Sequence, residues 1–162
     1  MLAKPVSVYF RSISLLALSL VLLSMASCKA QYVADHDVSI QNEIIRIAKR
    51  VDLFWASLLD KPANRRDYDS SKQDYLEIES ELRSLVFQNE IRYQNTEITK
   101  QANNALDLWL KNKALHKKSN RVEDFEAELH RQKLLNIFTA MARGEALKKI
   151  SPVGVSNPGP TP

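Results

Sequence analysis

The chain has 162 residues, 26% of them charged and 44% apolar, which is the composition of a folded domain and not of a disordered segment. That length allows one domain, since domains cluster near roughly 100–150 residues. The net charge of +4 includes Lys4 and Arg11 near the N-terminus; without these two, the 23 Lys and Arg become 21 against 19 Asp and Glu, a balance that argues against a nucleic-acid partner.

Lys4 and Arg11 form a short basic segment, and from Ser12 to Cys28 there is no charge. The Leu-, Val- and Ala-rich run Ile13–Ala26, at about 14 residues, is short of the roughly 20 needed to span a bilayer and fits the apolar centre of a cleaved signal peptide. It ends in Met25-Ala26-Ser27-Cys28. This stretch resembles the lipobox of bacterial lipoproteins, with Met25 standing where that family prefers Leu. The resemblance implies cleavage before Cys28, acylation of Cys28, and a membrane partner through the lipid. Lys29 stands where an Asp would hold an enteric-type lipoprotein in the inner membrane, so the resemblance points to the outer membrane, facing the periplasm. An inner-membrane lipoprotein and a secreted periplasmic protein are the alternatives. Ordinary signal cleavage after Ala26 or Ala30 and an uncleaved anchor compete for the same segment. The cysteine count favours lipidation: Cys28 is the only one, and a lone thiol has no partner for an internal disulfide. The expected division is a signal at 1–27, an anchor and tether at 28–36, a helical domain at 37–147 and a flexible tail at 148–162.

Between Ala30 and Ile150 there is one proline, Pro62, and one glycine, Gly144, among many good helix formers, so the middle of the chain reads as long helices. Ile40, Ile44, Ile47, Val51, Phe54, Trp55 and Leu58 recur at three- and four-residue steps and predict a helix over about 37–60. Pro62 and Asn64 break it. Ser70 with Gln73 predicts the cap of a second helix, whose stripe is Tyr75, Ile78, Leu82, Leu85 and Val86. A third stripe is Ile98, Ala102, Ala105, Leu106 and Trp109. Asn120 with Glu123 reads as the next N-cap. The last stripe is Phe125, Leu129, Leu135, Phe138, Met141 and Ala142, with Gly144 as the residue that ends the helix.

No Gly or Pro separates the second and third stripes, and the residues between them are polar: Asn89, Arg92, Asn95, Thr96, Thr99, Asn103 and Asn104. A turn near 94–96 would give an all-α, up-down-up-down four-helix bundle. Without it, one helix over 70–118 would run about 75 Å and join helical hairpins, as a dimer. An upright helix of that length outruns a first helix of about 36 Å and a tether that reaches some 25–28 Å. The turn also lets all four stripes share one core. The bundle is therefore the expected fold, and the polar run is either its solvated turn, a hydrogen-bonded layer or a binding face.

Chemistry is sparse. There is no G-x-S-x-G, no H-E-x-x-H and no phosphate-cradling glycine loop. His36 with Glu43 could hold a metal loosely, but a solvated helix start explains them better. His116 sits among lysines, and His130 with Glu126 lacks the paired Glu-x-x-His pattern of di-iron bundles. No cofactor, metal or catalytic residue is expected. One pattern stands out: Lys61, Arg65, Arg66, Lys111, Lys113, Lys117, Lys118 and Arg121 gather at the end of the bundle farthest from the anchor. Such a basic tip suits an acidic envelope protein or the carboxylates of peptidoglycan, although lysines also favour helix C-termini for dipole reasons alone. The expected function is a non-enzymatic lipid-anchored envelope protein, an adaptor, assembly factor or modulator. A bundle binding a small ligand or a metal is the alternative, and an enzymatic site around Glu126 and His130 the third reading.

Overall fold

A computed structural model of the chain describes residues 33–149. Cys28, the expected signal and nearly all of the expected tail lie outside them. The described chain forms α1 (Val38–Leu59), α2 (Tyr68–Glu90), α3 (Thr96–Ser119) and α4 (Asp124–Leu147), with a single 3-10 turn at Ala63–Arg65 and no strand.

Side chains set the helix ends. Asp37 opens α1 by accepting from the amides of Ser39 (2.8 Å) and Ile40 (3.2 Å), and Asp67 opens α2 by accepting from Ser70 N–H at 2.9 Å. Each satisfies a backbone donor that a helix start leaves free. The α2 cap is therefore Asp67, not Ser70. Asn120 closes α3 in the left-handed region at φ 50°, a conformation Asn tolerates. The cap of α4 is Glu123, which forms a reciprocal capping box with Glu126. Gly144 does not end α4, which runs on to Leu147. A Cβ at Gly144 would stand 2.9 Å from Ile98 Cδ1, so its glycine serves close approach of α3 and α4.

The chain does turn between the second and third stripes. α2 ends at Glu90, Gln94 takes φ 55°, and α3 starts at Thr96. Polar side chains do the work that Gly or Pro would otherwise do. Thr99 Oγ1 donates to the Asn89 carbonyl at 3.1 Å, and Asn95 Nδ2 donates to Asn89 Oδ1 at 2.7 Å. Asn89 and Asn95 are both buried, so the polar run holds a hydrogen-bonded layer within the turn.

Helices of 22 to 24 residues are each about 33–36 Å long, and their ends meet in two layers. Residues 34–37, 89–95 and 145–148 are bonded together at one end, and residues 59–68 and 116–124 at the other. This is up-down-up-down order, with each helix packed on its sequence neighbour and α4 closing on α1. Inside, Phe54, Trp55, Tyr75 and Trp109 form an edge-packed aromatic cluster with ring centroids 4.6–6.5 Å apart, and Trp109 Nε1 donates to the Tyr75 carbonyl at 3.1 Å. Such pairs add to the burial term of large rings. The stripes of α1, α2 and α3 are buried as expected. That of α4 is buried as expected only at Phe138 and Met141, with Leu129, Leu135 and Ala142 half-buried. Phe125 is 74% exposed, and the buried positions are Ala127, Leu134, Phe138, Met141 and Glu145.

Candidate functional site

The expected basic tip divides into cations that face solvent and cations that hold the fold. Arg66 belongs to the second group and is no part of an exposed surface. It is buried, donates to the carbonyls of Lys61 (2.7 Å), Leu59 (3.3 Å) and Val122 (3.2 Å), and pairs with Asp124 at 2.6 Å. It thereby ties the α1–α2 connection to the α3–α4 connection, and burial of the charge is offset by the carbonyls and carboxylate around it. Lys113 is committed as well, bridging α3 to Glu79 of α2 at 2.8 Å. The hydrogen bond from Lys113, joined by one from Arg83 and opposed by partial burial, holds the Glu79 carboxyl below its usual range. Arg65, Lys111, Lys117, Lys118 and Arg121 are exposed and Lys61 is half-buried. Arg121 is ion-paired with Glu123.

Beneath these cations lies His116, buried and bonded on both ring nitrogens. Nε2 lies 2.8 Å from the Arg66 carbonyl and Nδ1 lies 3.2 Å from the Tyr75 hydroxyl. A carbonyl only accepts, so Nε2 carries the proton and Nδ1 accepts from Tyr75. Burial lowers the His116 pKa despite the Arg66 carbonyl and raises that of Tyr75, so both are neutral at pH 7. Of the lysines near His116 in sequence, Lys113 is paired with Glu79 and Lys117 and Lys118 are exposed.

Next to His116 opens a cavity of about 260 Å³ between α3, α4 and Trp55 of α1. Trp55, Asn112 and His116 are its most buried residues, with 0%, 2% and 2% exposure; Lys118, Arg121 and Glu126 are exposed at its rim. Four polar atoms of residues around it have no hydrogen-bond partner, Trp55 Nε1, Asn112 Nδ2, Asn112 Oδ1 and His130 Nδ1, and each is shut off from solvent, the cavity included. A buried polar group left in this state costs about 1–3 kcal/mol. Burial lowers the His130 pKa as well, so its ring is neutral beside Trp55, 5.3 Å between centroids.

The opposite end of the bundle is saturated. Glu145, fully buried on α4, accepts from the amide of Asp37 at 2.8 Å, from Arg92 Nη2 and Nη1 at 3.0 and 3.3 Å, and from Lys148 Nζ at 2.6 Å. Lys148 also reaches Asn95 Oδ1 at 2.7 Å. Burial raises the Glu145 carboxyl, but the bonds from Arg92, Lys148 and Asp37 more than reverse that and leave its pKa low. Residues 34–36 join this network: Ala34 N–H donates to the Gln94 carbonyl at 3.0 Å, and His36 Nδ1 donates to the Glu145 carbonyl at 2.9 Å. His36 is therefore turned away from Glu43, which is paired with Arg46 at 2.7 Å.

Among the described residues no group of three or more His, Cys, Asp or Glu side chains is placed to hold a metal ion. Sequence reasoning missed both Asn112 and Glu145. Each lies in phase with a buried stripe, Asn112 between Trp109 and His116 and Glu145 after Phe138 and Met141, and a polar residue on such a stripe is the signal that would have found them. No family model, curated protein or solved structure matches the chain.

Proposed function

We propose that the chain is a lipid-anchored envelope protein without catalytic activity, acylated at Cys28 and presenting its bundle to an envelope component as an adaptor, assembly factor or modulator. The observation that carries this reading is the polarity of the bundle. The end that holds Val33 also exposes Val38, Ile91, Tyr93 and Leu147, with Tyr93 81% and Ile91 68% exposed. The far end exposes Arg65, Lys117, Lys118 and Arg121, with the acids Asp60, Asp69, Asp124 and Glu126 and the apolar Leu115 and Phe125 among them.

Cys28 lies five positions before Val33, a reach of about 18 Å at most. A lipid there keeps the apolar end close to the bilayer, where a Tyr such as Tyr93 suits the headgroup region. No helix of the described residues is long and apolar enough to cross a membrane; in this reading attachment rests on Cys28. Several acyl chains on one residue anchor firmly, whereas one chain, at about 0.8 kcal/mol per buried CH₂, binds marginally. The cationic end then faces away from the bilayer, toward acidic partners that include an envelope protein and the carboxylates of peptidoglycan, and electrostatics of this kind steers encounter more than it sets affinity.

The test is Cys28→Ser in cells fed a labelled fatty acid. Label should vanish and the precursor should accumulate uncleaved; normal processing of the variant overturns the anchor. Charge reversal at Arg65, Lys117 and Arg121 should lower the yield of crosslinked envelope partner, and an unchanged yield overturns the role of the tip.

A further inference from the structure

The layer that joins the start of α1, the α2–α3 turn and the end of α4 carries Val33, Val38, Ile91, Tyr93 and Leu147, each more than half exposed. Phe87, also exposed, lies one turn before Ile91 on α2. Single exposed apolar residues are ordinary, but a group drawn from four segments into one layer marks a contact surface. The far end differs: its exposed Leu115 and Phe125 stand among Lys117, Lys118, Arg121, Asp124 and Glu126.

What covers this layer follows from the chain that leads into it. Residues 34–36 are latched to it: Ala34 N–H donates to the Gln94 carbonyl, Arg92 Nη2 to the Asp35 carbonyl and His36 Nδ1 to the Glu145 carbonyl. Gln94 adjoins Tyr93, so a lipid on Cys28 is held to this surface by a stretch of chain that reaches about 18 Å at most. Charge then sets the depth of contact. Arg92 and Lys148 are engaged by Glu145, and Asp37 caps α1. The exposed charges are Asp35, Glu90 and Glu97 against Lys149, with Lys100 and Arg143 one turn deeper. This balance gives no net attraction to anionic lipid. The carboxylates keep the layer at headgroup level, where apolar side chains and a Tyr reach the interface and go no further.

We propose that this end of the bundle is a second membrane contact, docking directly on the bilayer surface with Val38, Ile91, Tyr93 and Leu147 in the boundary between headgroups and acyl chains. The inference rests on the anchor at Cys28. The anchor supplies attachment, and the docked end supplies orientation, which a lipid on one residue leaves open. With both in place the four helices stand upright and carry the far end about 33–36 Å, one helix length, off the bilayer.

The experiment uses the full chain purified from membranes and reconstituted in phosphatidylcholine vesicles that carry a brominated phosphatidylcholine, a contact quencher of indole. Flotation reads the anchor and quenching reads the docked end. Tyr93→Trp puts a probe at that end and Phe125→Trp one at the other. The native Trp55 and Trp109 lie about 26 and 20 Å along α1 and α3 from the docked end, and the parent chain gives their background. Brominated lipid should quench the indole at position 93 at least about twofold and leave the one at position 125 at the parent's level. Ile91→Asp with Leu147→Asp, added to Tyr93→Trp, should remove at least about half of that quenching and leave Tm unchanged, because both positions are exposed. High salt should change nothing, because the contact is apolar. A chain that does not float with the vesicles overturns the anchor and the docked end together. One that floats with position 93 no more quenched than position 125 overturns the docking alone. Blue-shifted emission at position 93 without quenching also overturns it, and assigns the surface to a second copy or another protein. Quenching that salt abolishes, or that the double substitution leaves whole, overturns the apolar contact.

Discussion

At one end of the bundle a buried carboxylate, Glu145, receives four hydrogen bonds; at the other a buried carboxamide, Asn112, receives and gives none. Both sit on a helix face that otherwise carries apolar side chains, so each interrupts the core. The difference lies in the neighbours. Arg92, Lys148 and the amide of Asp37 converge on Glu145 from three separate segments and lock the α2–α3 turn, the start of α1 and the end of α4 to one another. Around Asn112, His116 is spent on Arg66 and Tyr75 and Glu126 on the cap of α4, while Trp55 Nε1 and His130 Nδ1 are unpartnered like Asn112 itself. A polar group whose partners are all present specifies the fold, whereas one whose partners are missing is a cost that the surrounding core must offset.

The comparison breaks most sharply at Glu145. Glu145→Ala strands Arg92 and Lys148, and removing one member of a buried ionic cluster costs about 3–5 kcal/mol. Urea unfolding should show a loss of that size, and a loss under 1 kcal/mol would mean that solvent reaches the cluster. Asn112→Leu, by contrast, should cost nothing, so the two substitutions of buried polar groups differ in sign or nearly so.

A smaller effect is expected at Asn120, which closes α3 beside the cavity mouth. Its φ of 50° and its Oδ1, which accepts from Tyr68 N–H at 2.9 Å, are separate contributions. Asn120→Ala loses both and should cost about 2 kcal/mol; Asn120→Gly keeps the left-handed backbone and should cost about 1 kcal/mol. Equal losses for the two variants in thermal melts would assign the whole effect to the hydrogen bond.

The sequence carried the helix count and the cores of α1 to α3 because their stripes have one unambiguous phase. In α4 it placed only Phe138 and Met141, because apolar residues fall on more than one side: Phe125, Leu129 and Leu135 compete with Ala127 and Leu134, and the buried stripe ends on Glu145, which no apolar pattern selects. Arg65 and Arg66 are adjacent and identical in type, yet one faces solvent and the other is buried. What separates them is the carbonyl of Val122 and the carboxylate of Asp124, more than fifty residues on, and local pattern contains nothing of that. The turn at 91–95 was readable as polarity, but its cause, the bonds among Asn89, Asn95 and Thr99, depends on how those side chains fold back on one another.

The two ends should also part in their response to acid. His116 and His130, at the cavity end, have pKa values lowered by burial; Asp67 near His116 and Glu126 near His130 oppose this, while Lys133 and Lys111 add to it at His130. As pH falls through about 6.5, the unfolded chain takes up these protons before the folded one does. The unfolded state then binds more protons, and stability falls. Glu145 at the other end is a depressed carboxylate, as are Glu43, Glu77, Glu79 and, at the cavity end, Asp67, so their contributions are complete above the unfolded values of 4.5 (3.8 for Asp67) and are lost only as pH falls through the lower folded values. Stability from urea titrations should therefore decline in two steps, the first beginning near pH 6.5 and the second below 4.5. A double variant, His116→Gln with His130→Gln, should flatten the first step and keep the second, whereas a wild-type curve that is level from pH 7.5 to 5.5 would show that the cavity end admits the protons freely.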